Sequence, residues 1–125
     1  MRAFARNGMA QHVMLVNDGA EAYEYLLGED AALNGARRLV PRVIFLDLKM
    51  PKLGGLDLLE QLRSNDRTRS VPVVIVTSSD LEADVKEAYR RGANSFFVKK
   101  FDSENPGKYL VALAHYWLDF NREVR

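Results

Sequence analysis

Four short stretches of the chain are dense in β-branched and aromatic residues: His12 to Val16, Val43 to Leu48, Val71 to Thr77 and Ser95 to Lys99. Each has the length of a strand. The middle two, VIFLDL and VPVVIVT, are almost continuously apolar, as strands buried on both faces of a parallel sheet are. Between them, apolar residues recur at three- and four-residue spacing: Ala22, Tyr23, Leu26 and Leu27 before Gly28, then Leu58, Leu59 and Leu62 after Gly54 and Gly55, then Leu81, Val85, Ala88 and Tyr89 before Gly92. That spacing predicts amphipathic helices. Asp18 and Ser79 or Asp80 suit helix starts, and Gly28 and Gly92 suit helix ends. Pro106 fits the first turn of a last helix capped by Ser103 or Asn105. The alternation predicts an open α/β sheet with right-handed crossovers and helices on both faces. Residues 1 to 8 read as the end of a helix closed by Asn7 and Gly8, with no strand before them.

Composition narrows the chemistry. The 125 residues include 47% hydrophobic and 28% charged residues, no Cys and two His. One domain of this size can bury a core, whereas disulfides, thiolate metal sites and a cysteine nucleophile are excluded. A net charge of +1 does not supply the broad basic field of nucleic-acid binding, so no DNA partner is expected. Arg37, Arg38 and Arg42 read as a solvated loop. No apolar run approaches the roughly 18 to 20 residues of a membrane span, and no signal-peptide core opens the chain, so a cytoplasmic protein is expected.

In an open parallel sheet the ligand site lies beyond the carboxyl ends of the strands. Three polar residues stand there: Asp47 near the end of VIFLDL, Thr77 at the end of VPVVIVT and Lys99 at the end of SFFVK. A carboxylate in so apolar a strand is costly to desolvate unless partnered, and Lys99 is the natural partner. The bland alternatives are a helix cap for Asp47, a solvated strand end for Lys99 and an ordinary β-branched terminus for Thr77. The conjunction is more specific than any member. No Gly-rich phosphate loop or nucleophile and base pair points to a cofactor-dependent enzyme.

The segments VIFLDLKMPKLGGLDLLEQLR, VPVVIVTSSD and AYRRGANSFFVKK, with DGAEAYEYL before them, resemble the receiver domain of bacterial two-component response regulators over nearly the whole chain. KMPKLGGLDLLEQLR and ALAHYWLDF are similar to the small stand-alone receivers that serve phytochrome-type histidine kinases. The resemblance implies a flavodoxin-like doubly wound parallel sheet of order 2-1-3-4-5 and a single receiver domain over 1–125. It implies a phosphoacceptor at Asp47, fed by a sensor histidine kinase, with Thr77 and Lys99 contacting the phosphoryl group. Thr77 and Phe96 would be switch residues. Mg²⁺ would be held by Asp47 and the backbone carbonyl of Lys49. Such a module is a signalling protein that at most catalyses its own phosphorylation and dephosphorylation.

Three departures qualify the resemblance. The first strand of the family, which ends in two acidic residues that help bind Mg²⁺, is missing, so the metal site is incomplete. Lys100 stands where a proline usually follows the lysine. Lys49 and Ser79 occupy the positions that tune dephosphorylation. The missing strand is explained by an amino-terminally incomplete sequence, by a rearranged sheet, or by a strand from another chain. The first is preferred, because removing a central strand would orphan a row of backbone groups. The lost acids also raise the alternative of a degenerate receiver that docks to partners independently of phosphate.

The last helix is apolar nearly all round. Leu110, Leu113, Trp117 and Phe120 are expected to face the sheet, with Tyr109, Ala112 and Tyr116 on a second side and Val111, Ala114 and Leu118 on a third. One sheet buries one side, so a homodimer through this helix is expected.

Overall fold

A computed structural model of the chain describes residues 13–28, 41–50, 53–99 and 106–121. The elements are β1 (Val13–Val16), α1 (Gly19–Leu27), β2 (Val43–Leu46), α2 (Gly55–Arg63), β3 (Val73–Thr77), α3 (Glu82–Arg90), β4 (Ser95–Val98) and α4 (Pro106–His115), which runs into a π-helical turn, Tyr116–Phe120. All four strands are parallel, and their order in the sheet is their order in the chain. The strands are those the apolar runs mark; the second and fourth are shortened at their carboxyl ends and the third at its amino end, while His12 lies outside the described residues. The helical reading of residues 1 to 8, the capping by Ser103 or Asn105, and Arg37 and Arg38 lie outside the described residues.

This order corrects one expectation. Val13–Val16 does not stand off from Val43–Leu46 across a vacant strand position but pairs with it directly, Val13 opposite Val43 and Val16 opposite Leu46. Of the three readings of the missing strand, the rearranged sheet matches this pairing. Closing the sheet satisfies the backbone donors and acceptors that a gap would orphan in the interior.

Sequential order also decides where the helices lie. When every right-handed crossover steps to the next strand in the same direction, every connecting helix falls on the same face. Accordingly Ala22 and Leu26 of α1, Leu58, Leu59 and Leu62 of α2, and Ala88 of α3 share one buried cluster with Met14, Val16, Ile44, Leu46, Val73 and Ile75. The alternate strand residues, Val13, Val43, Phe45, Val74 and Val76, face the other way, against α4.

On that second face the expected arrangement of α4 is only partly met. Leu110, Leu113 and Trp117 pack on the cluster as expected, but Val111, Ala114 and Leu118 do so as well, with Ala114 fully buried. Phe120 is 78% exposed and does not face the sheet. The cause is the π-helical turn, which adds a residue to the helical repeat and rotates Phe120 out of line with Leu113 and Trp117. Arg42 is likewise no free loop cation: its Nη2 donates to the Leu118 carbonyl at 3.1 Å and ties the start of β2 to this turn.

Local chemistry explains most element ends. Asp18 caps α1, its Oδ1 accepting the N–H groups of Ala20 (3.0 Å) and Glu21 (3.1 Å). Gly92, just past α3, has φ +109, a left-handed conformation that suits glycine. The start of α3 departs from expectation. Neither Ser79 nor Asp80 is its N-cap; Leu81 is, without a side-chain bond, and Ser79 instead donates its hydroxyl to Asp84 Oδ2 at 2.5 Å.

An ion-pair network joins α2 to α3. Arg91 reaches Glu87 at 2.6 Å, Asp57 at 3.3 Å and Glu60 at 3.8 Å, and Arg90 also holds Glu87. Hydrogen bonds from Arg90, then Arg91, hold the Glu87 carboxyl down from its ordinary 4.5 to about 2. A carboxyl with a depressed folded-state pKa contributes stability that is complete above its unfolded value and is lost as pH falls through its folded value. The melting temperature of the parent should therefore fall between pH 4.5 and about pH 2 by more than that of Glu87→Gln. Equal slopes for the two proteins would remove Glu87 as the cause.

Candidate functional site

The carboxyl ends of β2, β3 and β4 carry the three residues singled out from the sequence. Asp47 follows β2, Thr77 ends β3, and Lys99 follows β4. Strand alternation puts Asp47 after Phe45, and Lys99 after Phe97, on the α4 side of the sheet. The lysine stem spans the end of β3, and its Nζ lies 3.3 Å from Asp47 Oδ2. The aspartate side chain is 28% exposed and the lysine 47%, so the pair is a solvated one of modest strength. A contact that weak is readily traded for a charged group built on the carboxylate.

The other oxygen, Asp47 Oδ1, accepts the peptide N–H of Lys49 at 3.2 Å, closing a tight turn after the strand. The Lys49 side chain is exposed. Helix α2 begins against this turn: the Gly55 N–H donates to the Leu48 carbonyl at 3.1 Å, and a Cβ on Gly55 would lie 2.2 Å from the Asp47 carbonyl oxygen. The glycine therefore lets the helix start press directly on the segment that holds Asp47.

Thr77 is buried, at 1% exposure, and its hydroxyl oxygen accepts the Ser79 N–H at 3.3 Å. The Thr77 carbonyl accepts the Lys99 N–H at 2.7 Å, which locks the ends of β3 and β4 together. Phe96 is half-buried against the three-helix cluster, on the opposite side of the sheet from Lys99. The structure thus brings Asp47 and Lys99 into contact and sets Thr77 at the end of the strand between them, where the alternation of β3 turns its side chain to the three-helix side with Val73 and Ile75. Sequence reasoning did not anticipate the link from Thr77 through Ser79 to Asp84 in the first turn of α3. Its only sequence signal is the run of small polar residues TSSD.

Residues 1–109 match the family model described as the response regulator receiver domain. The chain belongs to this family. The receiver is 34% identical over 122 residues to the probable methanogenesis regulatory protein FilR2 of Methanothrix harundinacea, covering 98% of this chain and 76% of that one. Among solved structures it resembles the bacteriophytochrome response regulator RtBRR, at 37% identity and a TM-score of 0.65, covering 99% of this chain and 71% of that one. It also resembles the Mn²⁺-bound form of the response regulator Rcp1 of Synechocystis, at 26% identity and a TM-score of 0.75, covering 88% and 77%. The parallel sheet with flanking helices is the flavodoxin-like receiver fold. Among the described residues no helix is long and apolar enough to cross a membrane.

A divalent cation is bound in the Rcp1 structure, and the residues of this receiver fit one poorly. Both Asp47 oxygens already have partners in Lys99 and the Lys49 N–H, and the charged group in contact with the carboxylate is the Lys99 ammonium. Among the described residues no group of three His, Cys, Asp or Glu could hold a metal ion. Mg²⁺ asks for oxygen donors with one or two carboxylates to balance its charge.

Proposed function

We propose that this receiver accepts a phosphoryl group on Asp47 from a sensor histidine kinase and passes the signal on through protein contacts in the cytoplasm, without DNA binding of its own. The observation that supports this is the Asp47 to Lys99 contact of 3.3 Å at the carboxyl end of a buried parallel sheet. A carboxylate oxygen of Asp47 attacks phosphorus, the bond from phosphorus to the donor imidazole nitrogen breaks, and the imidazole leaves with the electron pair. The product is an acyl phosphate. Lys99 then trades the carboxylate for a phosphoryl oxygen, and the Thr77 hydroxyl turns from accepting the Ser79 N–H to donating to the same group. Phe96 and Thr77 are the switch residues of this reading, and residues 1–125 act as one receiver unit. The likeness to bacteriophytochrome response regulators favours a phytochrome-type kinase as donor.

Treatment with acetyl phosphate or a histidine kinase, with and without Mg²⁺, followed by peptide mapping, tests the reading. The expected result is a phosphoryl group on the peptide that carries Asp47. A second reading, phosphate-independent docking, is favoured by the shortage of metal-binding acids among the described residues. An Asp47 that stays unmodified with every donor, while partner binding persists, would select it.

The exposed Lys49 ammonium, two residues past Asp47, can pair with phosphoryl oxygens and obstruct the water that must align on phosphorus. Phosphorylated Lys49→Asn should therefore lose its phosphate several-fold faster than the parent once the donor is removed. An equal or slower rate would rule out this role.

The dimer reading keeps α4 but changes its contact residues. Leu118 is spent on the sheet, whereas Tyr116 at 49% and Phe120 at 78% remain exposed beside it. Sedimentation equilibrium at micromolar concentration should find a dimer that Tyr116→Glu with Phe120→Glu converts to monomer. A dimer undisturbed by that pair would exclude α4.

A further inference from the structure

The sheet register sets a residue beside Asp47 whose role the strand pattern does not reveal. Val13 to Val16 pair one to one, in parallel, with Val43 to Leu46, so the next residue outward, Asn17, stands level with Asp47. Val13 and Leu15 face the α4 side of the sheet, as do Val43 and Phe45. One more step of the alternation puts Asn17 and Asp47 on that same side, one strand spacing of ~4.8 Å apart. Lys99 approaches Asp47 there, at 3.3 Å. Asp18, the nearest acid in sequence, falls on the opposite alternation, and its Oδ1 is engaged in capping α1. The Asp47 carboxylate is therefore held by the Lys99 ammonium from one side, and the register extended one residue past Val16 and Leu46 brings the position of Asn17, which carries a neutral carboxamide, alongside it on the other.

We propose that Asn17 is the residue that sets divalent-cation affinity at this site. With a neutral side chain at position 17, Asp47 keeps Lys99 as its counter-charge and does not bind Mg²⁺ or Mn²⁺. A carboxylate at the same position would supply the second anionic oxygen donor that a hard divalent cation needs and would outweigh the ammonium. The inference rests on the reading of Asp47 as the centre of the site. Cation binding is measured without a phosphoryl donor, so its failure and a failure of the phosphoacceptor reading are distinguishable.

Mn²⁺ titration of the full chain, followed by water-proton relaxation, tests it with the parent, Asp47→Asn, Asn17→Asp and the double variant Asn17→Asp with Asp47→Asn. The parent should bind Mn²⁺ no more tightly than Asp47→Asn. Asn17→Asp should bind at least tenfold more tightly than the parent, and the double variant should lose that gain. Parent binding that exceeds that of Asp47→Asn would overturn the proposal. So would a folded Asn17→Asp, its circular dichroism melt matching the parent, that shows no gain. Asn17 is exposed and its exchange for Asp nearly isosteric; should that variant nevertheless fail to fold, Asn17→Glu takes its place in the same comparison, and a folded Asn17→Glu without a gain in Mn²⁺ binding would equally overturn the proposal.

Discussion

Asp47→Asn should abolish phosphoryl labelling by acetyl phosphate or kinase, with no loss of the folded state. The carboxamide has nearly the shape of the carboxylate and can still accept the Lys49 N–H, now 3.2 Å from Oδ1, but its oxygen is not a competent nucleophile and cannot form the anhydride. Lys99→Ala should leave the nucleophile in place and slow labelling by roughly 10²-fold, the usual cost of removing one donor aimed at developing negative charge. The two variants separate acceptor from stabiliser: the first loses the site of modification, the second only its rate. Quantitative mass spectrometry of the Asp47 peptide over time reads both. Labelling of Asp47→Asn at the parent rate would place the acceptor elsewhere, and an unchanged rate in Lys99→Ala would reduce the 3.3 Å contact to a surface ion pair.

Arg63→Met should cost about 3 kcal/mol of stability, because this one guanidinium ties together the loops that feed β3 and β4. Its Nε and Nη2 donate to the Gly92 carbonyl at 3.0 and 2.8 Å, and Nη2 also reaches Asn94 Oδ1 at 2.8 Å. Its Nη1 donates to the carbonyls of Val71 at 2.8 Å, Arg69 at 3.1 Å and Thr68 at 3.4 Å. Asn94 Oδ1 in turn accepts the Val73 N–H at 2.8 Å, so the arrangement reaches the first residue of β3. Burial lowers the guanidinium pKa from 12.5, but the group stays charged at any pH the fold survives. Methionine would fill most of the volume and leave these carbonyls without their donors. Arg63→Lys keeps the charge and loses the planar fork, so it should recover only about half of the loss. Urea denaturation with an unchanged m-value checks the ordering; a methionine variant as stable as the parent would show that water replaces the guanidinium without cost.

The sequence by itself determined which segments become strands and helices and which residues stand at the strand ends. VIFLDL and VPVVIVT are too apolar for anything but the middle of a covered sheet, and three- and four-residue spacing marked each helix that followed. Asp47, Thr77 and Lys99 were legible because a polar residue that closes an apolar strand has few places to go. Receiver membership was legible for a related reason, since its motifs are those strand ends together with the turns that follow them.

Only the tertiary structure decided what lies beside what. A strand's period of two tells which residues share a face, but not which strand is its neighbour, because the hydrogen bonds that choose a neighbour come from backbone groups that every residue carries. Hence the direct pairing of Val13–Val16 with Val43–Leu46, the gathering of three helices on one face and the level of Asn17 with Asp47 could not be read from the pattern. The faces of α4 escaped for a different reason. An ideal repeat of 3.6 residues assigns Phe120 to the stripe of Leu113 and Trp117, whereas the π-helical turn at Tyr116–Phe120 changes the repeat where the helix leaves the sheet. Nothing in the sequence around Arg63 marks it, because its role depends on acceptor oxygens up to 31 residues away that only folding brings within reach of one guanidinium.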